Sequence, residues 1–87
     1  MDKKEIWNLV NQAYKKGKKE SPGWPDHVAA QAGIVNAEAG KLMTEALLYK
    51  YSKNKNKMLV KAYHDDMKKS AIHTIVTAIR FLENLKS

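Results

Sequence analysis

Apolar residues recur along this chain at the three- and four-residue intervals of helices, and the pattern breaks in two places. In the first stretch Ile6, Val10 and Ala13 share one face, Trp7 and Tyr14 lie beside them, and Asp2 stands where an N-cap belongs. This spacing predicts a helix over 2–16 that frays through Lys15-Lys16-Gly17-Lys18-Lys19, where glycine weakens it and lysines suit a carboxyl end. The segment SPGWPD at 21–26 is the strongest break. Asp26 then becomes the predicted N-cap of a long helix over 27–51, with Val28, Ala32, Val35, Ala39, Leu42, Ala46 and Tyr49 as its apolar stripe. Leu47 and Leu48 broaden that stripe, as a helix with more than one neighbour requires. Gly33 and Gly40 would let another helix approach, each costing about 1 kcal/mol relative to alanine. SKNKNK at 52–57 reads as a polar turn. The last helix, over 58–85, is predicted from Ile72, Ile75, Val76, Ile79, Leu82 and Leu85, with Leu59, Ala62, Tyr63 and Met67 upstream.

No strand pattern, repeat or low-complexity tract accompanies these helices. The expected fold is all-α: an antiparallel hairpin of 27–51 with 58–85, and a shorter helix across one end or on a partner subunit. With 87 residues the whole of 1–87 is one domain. A chain of that size buries only about 60% of its unfolded surface. One hairpin cannot cover the stripes of both its helices, so a homo-oligomer, a dimer or larger, is expected, with two hairpins pairing into a four-helix core.

The absence of cysteine removes disulfides, thiol catalysis and Cys-based zinc sites. The formal charge of +7 favours polyanionic partners such as nucleotide phosphates, nucleic acid or an acidic protein surface. Of the 16 basic residues all but Arg80 are lysine, so bidentate arginine reading of bases is nearly excluded and duplex DNA is not an expected partner. No run is apolar enough to span a membrane, and MDKKEIW lacks the apolar core of a signal peptide, so a soluble, cytoplasmic chain is expected.

Candidate chemistry is sparse. His27, His64 and His73 have no metal-ligand spacing, and a lone helical histidine is more often structural or on the surface. Asp65 and Asp66 point about 100° apart on a helix and cannot clamp one ion together. The lysines gather at 15–19, 50–61 and 68–69; such runs are usually solvated, and the functional version is an anion site where lysines of two helices converge. Trp24, between two prolines, either stacks on a base or plugs the end of the core.

Two phrases, GWPDHVAAQAGIVNAEAGKL at 23–42 and SAIHTIVTAIRFLENL at 70–85, give the segment from Gly23 to Leu85 its character. That segment resembles the small all-α nucleotide pyrophosphohydrolases of the MazG-like superfamily, in particular the short forms of phages and bacteria. The resemblance implies Mg²⁺ held by an E-x-x-E pair and an E-x-x-D pair on two facing helices, bridging triphosphate oxygens to an activated water. Here those positions read Glu38-x-x-Lys41 and Ser70-x-x-His73, so Glu38 alone keeps its carboxylate. Lysine in place of a carboxylate changes the local charge by two units, which repels a metal and attracts phosphate. Asp65, Asp66 and Glu45 lie within two turns and would rebuild a metal site if the register differed.

The leading expectation is therefore a non-catalytic nucleotide-binding protein, of the kind a phage would use as a sponge for a cyclic nucleotide signal in host immunity. Its expected ligand-binding residues are Tyr14, Lys15, Trp24, His27, Glu38, Lys41, Ser70, His73 and Arg80, with no catalytic residue, metal ligand or cofactor. An Mg²⁺-dependent nucleoside triphosphate pyrophosphohydrolase is the second reading, and Mg²⁺ enters only there. A basic inhibitor of a macromolecular partner is the third, and a structural dimer the fourth.

Overall fold

Asp2 starts the first helix by accepting the Glu5 backbone N–H on Oδ1 at 2.8 Å. A computed structural model describes residues 1–52 and 56–85 and shows α1 at Lys3–Glu20, α2 at Val28–Ser52 and α3 at Lys57–Asn84. No strand occurs among the described residues, so the fold is all-α as the periodicity predicts. The first helix runs further than expected. It passes through Gly17, which stays right-handed and whose carbonyl accepts the Ser21 N–H at 2.8 Å. Lys18 and Lys19 then sit in the last turn, where cations complement the helix dipole.

The cap of α2 also differs. His27, not Asp26, does the work: its Nδ1 accepts the Ala29 N–H at 3.1 Å and its carbonyl accepts the Gln31 N–H at 3.0 Å. At the other boundary Asn56 Oδ1 accepts from Met58 and Leu59, which opens α3. The predicted turn lies partly outside the described residues, at 53–55.

α2 and α3 form an antiparallel hairpin, as the pairs Tyr49–His64, Glu45–Ser70 and Glu38–His73 show. α1 rests on α3 and not on α2. Its Val10 is 1% exposed and packs on Ile72 and Val76, with Ile6, Leu9, Ala13, Tyr14, Ile75 and Ile79 around them. These three are the only buried apolar side chains among the described residues, and Val10 alone is fully buried.

The stripe predicted for α2 is turned. Val28, Ala32 and Ala39 are exposed, while Gln31, Ile34, Glu38 and Glu45 join Val35, Leu42, Ala46 and Tyr49 toward α3. Apolar residues occupy nearly the whole circumference of α2, so periodicity alone cannot choose the docked face. One polar anchor crosses the seam: Ser70 Oγ donates to Glu45 Oε1 at 2.9 Å, while Gln31 Nε2 ties the start of α2 to its own linker by donating to the Pro25 carbonyl at 2.7 Å. On α3 the predicted stripe also thins toward its ends, where Leu59, Leu82 and Leu85 are exposed.

The linker at 21–27 is fastened by Arg80. This side chain is 7% exposed, and its Nη2 donates to the carbonyls of Ser21 at 2.9 Å and Gly23 at 3.3 Å. Its guanidinium also stacks over Trp24, 4.7 Å from the ring centroid. Buried hydrogen bonds of a charged donor contribute about 1.5–3 kcal/mol. Arg80→Ala should therefore lower stability to urea by about 3 kcal/mol. Arg80→Lys should recover only part of that, because an ammonium cannot stack flat on the indole while bonding two carbonyls.

Candidate functional site

Lys16 lies near the end of α1 and faces Lys69 and His73 of α3 across an open cleft of about 400 Å³. Val76, Thr77 and the buried Arg80 continue the α3 wall, and Glu38 of α2 closes the far side. A second hollow of about 450 Å³ adjoins it along the α1–α3 seam, sharing Ala13, Lys16, Lys69 and His73 and adding Leu9, Ile72 and Lys68. Together they form one groove with an aliphatic floor and a lysine rim.

The charges along the groove are unequally matched. Among the described residues Lys16, Lys68 and Lys69 have no carboxylate within 4 Å. Glu38 lies 3.4 Å from Lys41 Nζ and 3.9 Å from His73 Nδ1, and Asp65 lies 3.8 Å from His64 Nδ1. Glu20 at the mouth and Asp65 on the α3 wall are carboxylates of the groove with no lysine or arginine within 4 Å among the described residues. The three lysines come from two helices, so their convergence is produced by the fold.

The expected site residues divide into three groups. Glu38, Lys41 and His73 come together across the α2–α3 seam. Ser70 does not join them. It is buried one turn away, where its hydroxyl is committed to Glu45. Arg80 reaches the groove wall, but its Nη2 is spent on the linker.

Tyr14, Lys15, Trp24 and His27 lie outside the groove. The Tyr14 hydroxyl bonds the Glu83 carboxylate at 2.7 and 2.9 Å, and Lys18 stands 5.9 Å over its ring. Lys15 points to solvent on α1. Trp24 lies under Arg80 at the end of the bundle, partly buried, with its Nε1 buried and without a hydrogen-bond partner among the described residues. His27 is the cap of α2. Lys16, Lys68 and Lys69 are absent from the expected set. Their signal was the pair of lysine runs at 15–19 and 68–69, but only the fold shows which member of each run turns inward.

The Mg²⁺ chemistry of the resemblance can be tested on the same residues. Mg²⁺ takes hard oxygen ligands in a tight octahedron. Glu38 instead meets two nitrogens, and Glu45 lies two turns along α2, about 10 Å away by helix rise. Among the described residues no three His, Asp or Glu side chains gather closely enough to hold a metal ion. The donor set does not suit Mg²⁺, and no step is derived through it.

No family model matches the chain, and neither a curated protein nor a solved structure matches it. Among the described residues no helix is long and apolar enough to cross a membrane.

One group has a shifted proton affinity. The hydrogen bond to Glu83, then burial and the carboxylate's charge, raise the Tyr14 hydroxyl above its ordinary value of 10.0, against a smaller opposing effect of Arg80. A raised folded value stabilises the fold below the unfolded value and loses that contribution as pH climbs through the folded one. Tyr14→Phe should thus lower the melting temperature slightly at neutral pH. The gap to the unmodified protein should close in strongly alkaline buffer, measured by circular dichroism.

Proposed function

We propose that the protein binds a nucleotide, linear or cyclic, in the groove between α1 and α3, and binds it without turnover. One observation carries this reading: three lysines from two helices, unmatched by carboxylates among the described residues, rim a groove floored by Leu9, Ala13, Ile72 and Val76. An aliphatic floor suits the flat face of a base, and ammonium groups on the rim suit phosphate as strongly hydrated point charges. His73 and Thr77 add donors at the centre of the groove.

The scaffold proposed is that of the MazG-like pyrophosphohydrolases, on the strength of the two phrases at 23–42 and 70–85. In it Lys41 and His73 stand where that resemblance expects carboxylates. Retention of an intact ligand is what a sponge for a nucleotide signal needs, and a homo-oligomer is the proposed working form.

The test is incubation with a panel of linear and cyclic nucleotides, with and without Mg²⁺, followed by filtration and heat release. Expected is a nucleotide that leaves the filtrate and returns unchanged. Conversion to a monophosphate would instead establish the pyrophosphohydrolase reading. If every nucleotide passes through, the lysine rim belongs to a macromolecular partner. For the retained nucleotide, Lys16→Glu and Lys69→Glu should each weaken binding about tenfold or more, equivalent to about 1.4 kcal/mol. Lys15→Glu, one residue away but outside the groove, should cost far less once the change in net charge is screened with salt.

A further inference from the structure

The outward half of α2 is the least explained surface of the molecule. Ala29, Gly33, Asn36, Gly40, Met43 and Leu47 follow one another along it, spaced by three and four residues, and all are exposed. None is charged, in a chain where 29% of residues are. Met43 is 63% exposed and Leu47 47%. A helix with an apolar outer face as well as an apolar inner one belongs inside a larger core.

The two glycines sharpen the point. A Cβ built on Gly33 or Gly40 would meet nothing within 4 Å. Their own chain has no need of the missing side chains, yet each weakens the helix by about 1 kcal/mol relative to alanine. Close approach by another backbone is the physical use that remains. Beside them runs a groove of about 500 Å³ along the α2–α3 edge, lined by Ala32, Val35, Ala39, Ala78, Phe81 and Leu82 without a charged residue.

Surface area shows that the chain as a whole is under-covered. The chain exposes 6721 Å², whereas a compact monomer of its mass exposes about 5,200 Å². The surplus of roughly 1,500 Å² exceeds the ~800 Å² that each partner contributes to a standard interface and falls in the range of obligate dimers. A radius of gyration of 14.7 Å, against about 12 Å for a compact chain of this length, tells the same story.

We infer that α2 packs against α2 of a second copy, antiparallel and about a two-fold axis near Asn36 and Ala37. The axis falls midway between the two glycines, so Gly33 faces Gly40 of the partner subunit, and the reverse contact follows by symmetry. Parallel pairing would also align the glycines, each with its own copy, but antiparallel pairing in addition opposes the two helix dipoles. The interface shares no lining residue with the lysine-rimmed groove, so it stands whether or not a nucleotide binds there. A second copy fits better than an unrelated partner. A charge-free face offers no ion pair to select one, and a self-complementary stripe supplies its own match.

The experiment is light scattering with size-exclusion chromatography on the full chain, beside Gly40→Arg and Gly33→Ala with Gly40→Ala. The mass should be twice the 9.9 kDa of one chain, with a melting temperature that rises with protein concentration. Gly40→Arg should give a one-chain mass with unchanged helicity, because its side chain enters open space in the monomer. The double alanine variant should dissociate more readily. A one-chain mass for the unaltered protein would overturn the inference, as would an oligomer that Gly40→Arg leaves intact. A double alanine variant of higher melting temperature that is independent of concentration would show a solvent-facing helix and overturn it equally. So would a monomer that binds vesicles of zwitterionic lipid through this face.

Discussion

A single buried guanidinium ties the three helices into one body. Arg80 projects from α3, bonds the carbonyls that end α1 and begin the linker, and stands over Trp24 just before α2. The core it supports is thin. Val10, Ile72 and Val76 are the buried apolar side chains among those described, and such side chains stabilise by roughly 2 kcal/mol each. With so little aliphatic burial inside one chain, the position of α1 rests heavily on this polar clasp. The groove between α1 and α3 has one wall fixed by it.

The molecule keeps its charge and its apolar surplus apart. Lysines crowd the end of α1 and the middle of α3, while the outward half of α2 carries almost none. In a strongly basic chain the separation has a physical use. An interface between two copies of a basic chain, as inferred above, would gain from a face without unpaired lysines, whose mutual repulsion would offset the burial. The same separation concentrates positive potential where α1 meets α3, which favours anionic ligands over neutral ones.

Helix content and hairpin topology were legible because they follow from local rules: the periodicity of α1 and α3, the Asp2 cap and the proline-rich break at 21–26. What escaped was set by contacts between elements distant in sequence. The rotation of α2 depends on Ser70 finding Glu45, and no periodicity encodes that in a helix apolar on all sides. His27 displaced Asp26 as a cap because an imidazole Nδ1 can accept an N–H as a carboxylate does. The rim of Lys16, Lys68 and Lys69 was visible only as composition, since one residue of register decides whether Lys15 or Lys16 turns toward α3.

The sequence distance of the contacts that hold α1 has a consequence for how the molecule assembles. Tyr14 meets Glu83 across 69 residues, and Arg80 meets Ser21 across 59, whereas Glu45 meets Ser70 across only 25. Closing a longer loop costs more chain entropy, so the hairpin of α2 and α3 is favoured to form first and α1 to dock last. The groove is thus the final feature to be built and the first to come apart. Partial opening of α1 dismantles one wall while leaving the hairpin standing. Under the proposed function, release of a bound nucleotide would then be governed by the clasp at Arg80 as much as by any group that touches the ligand.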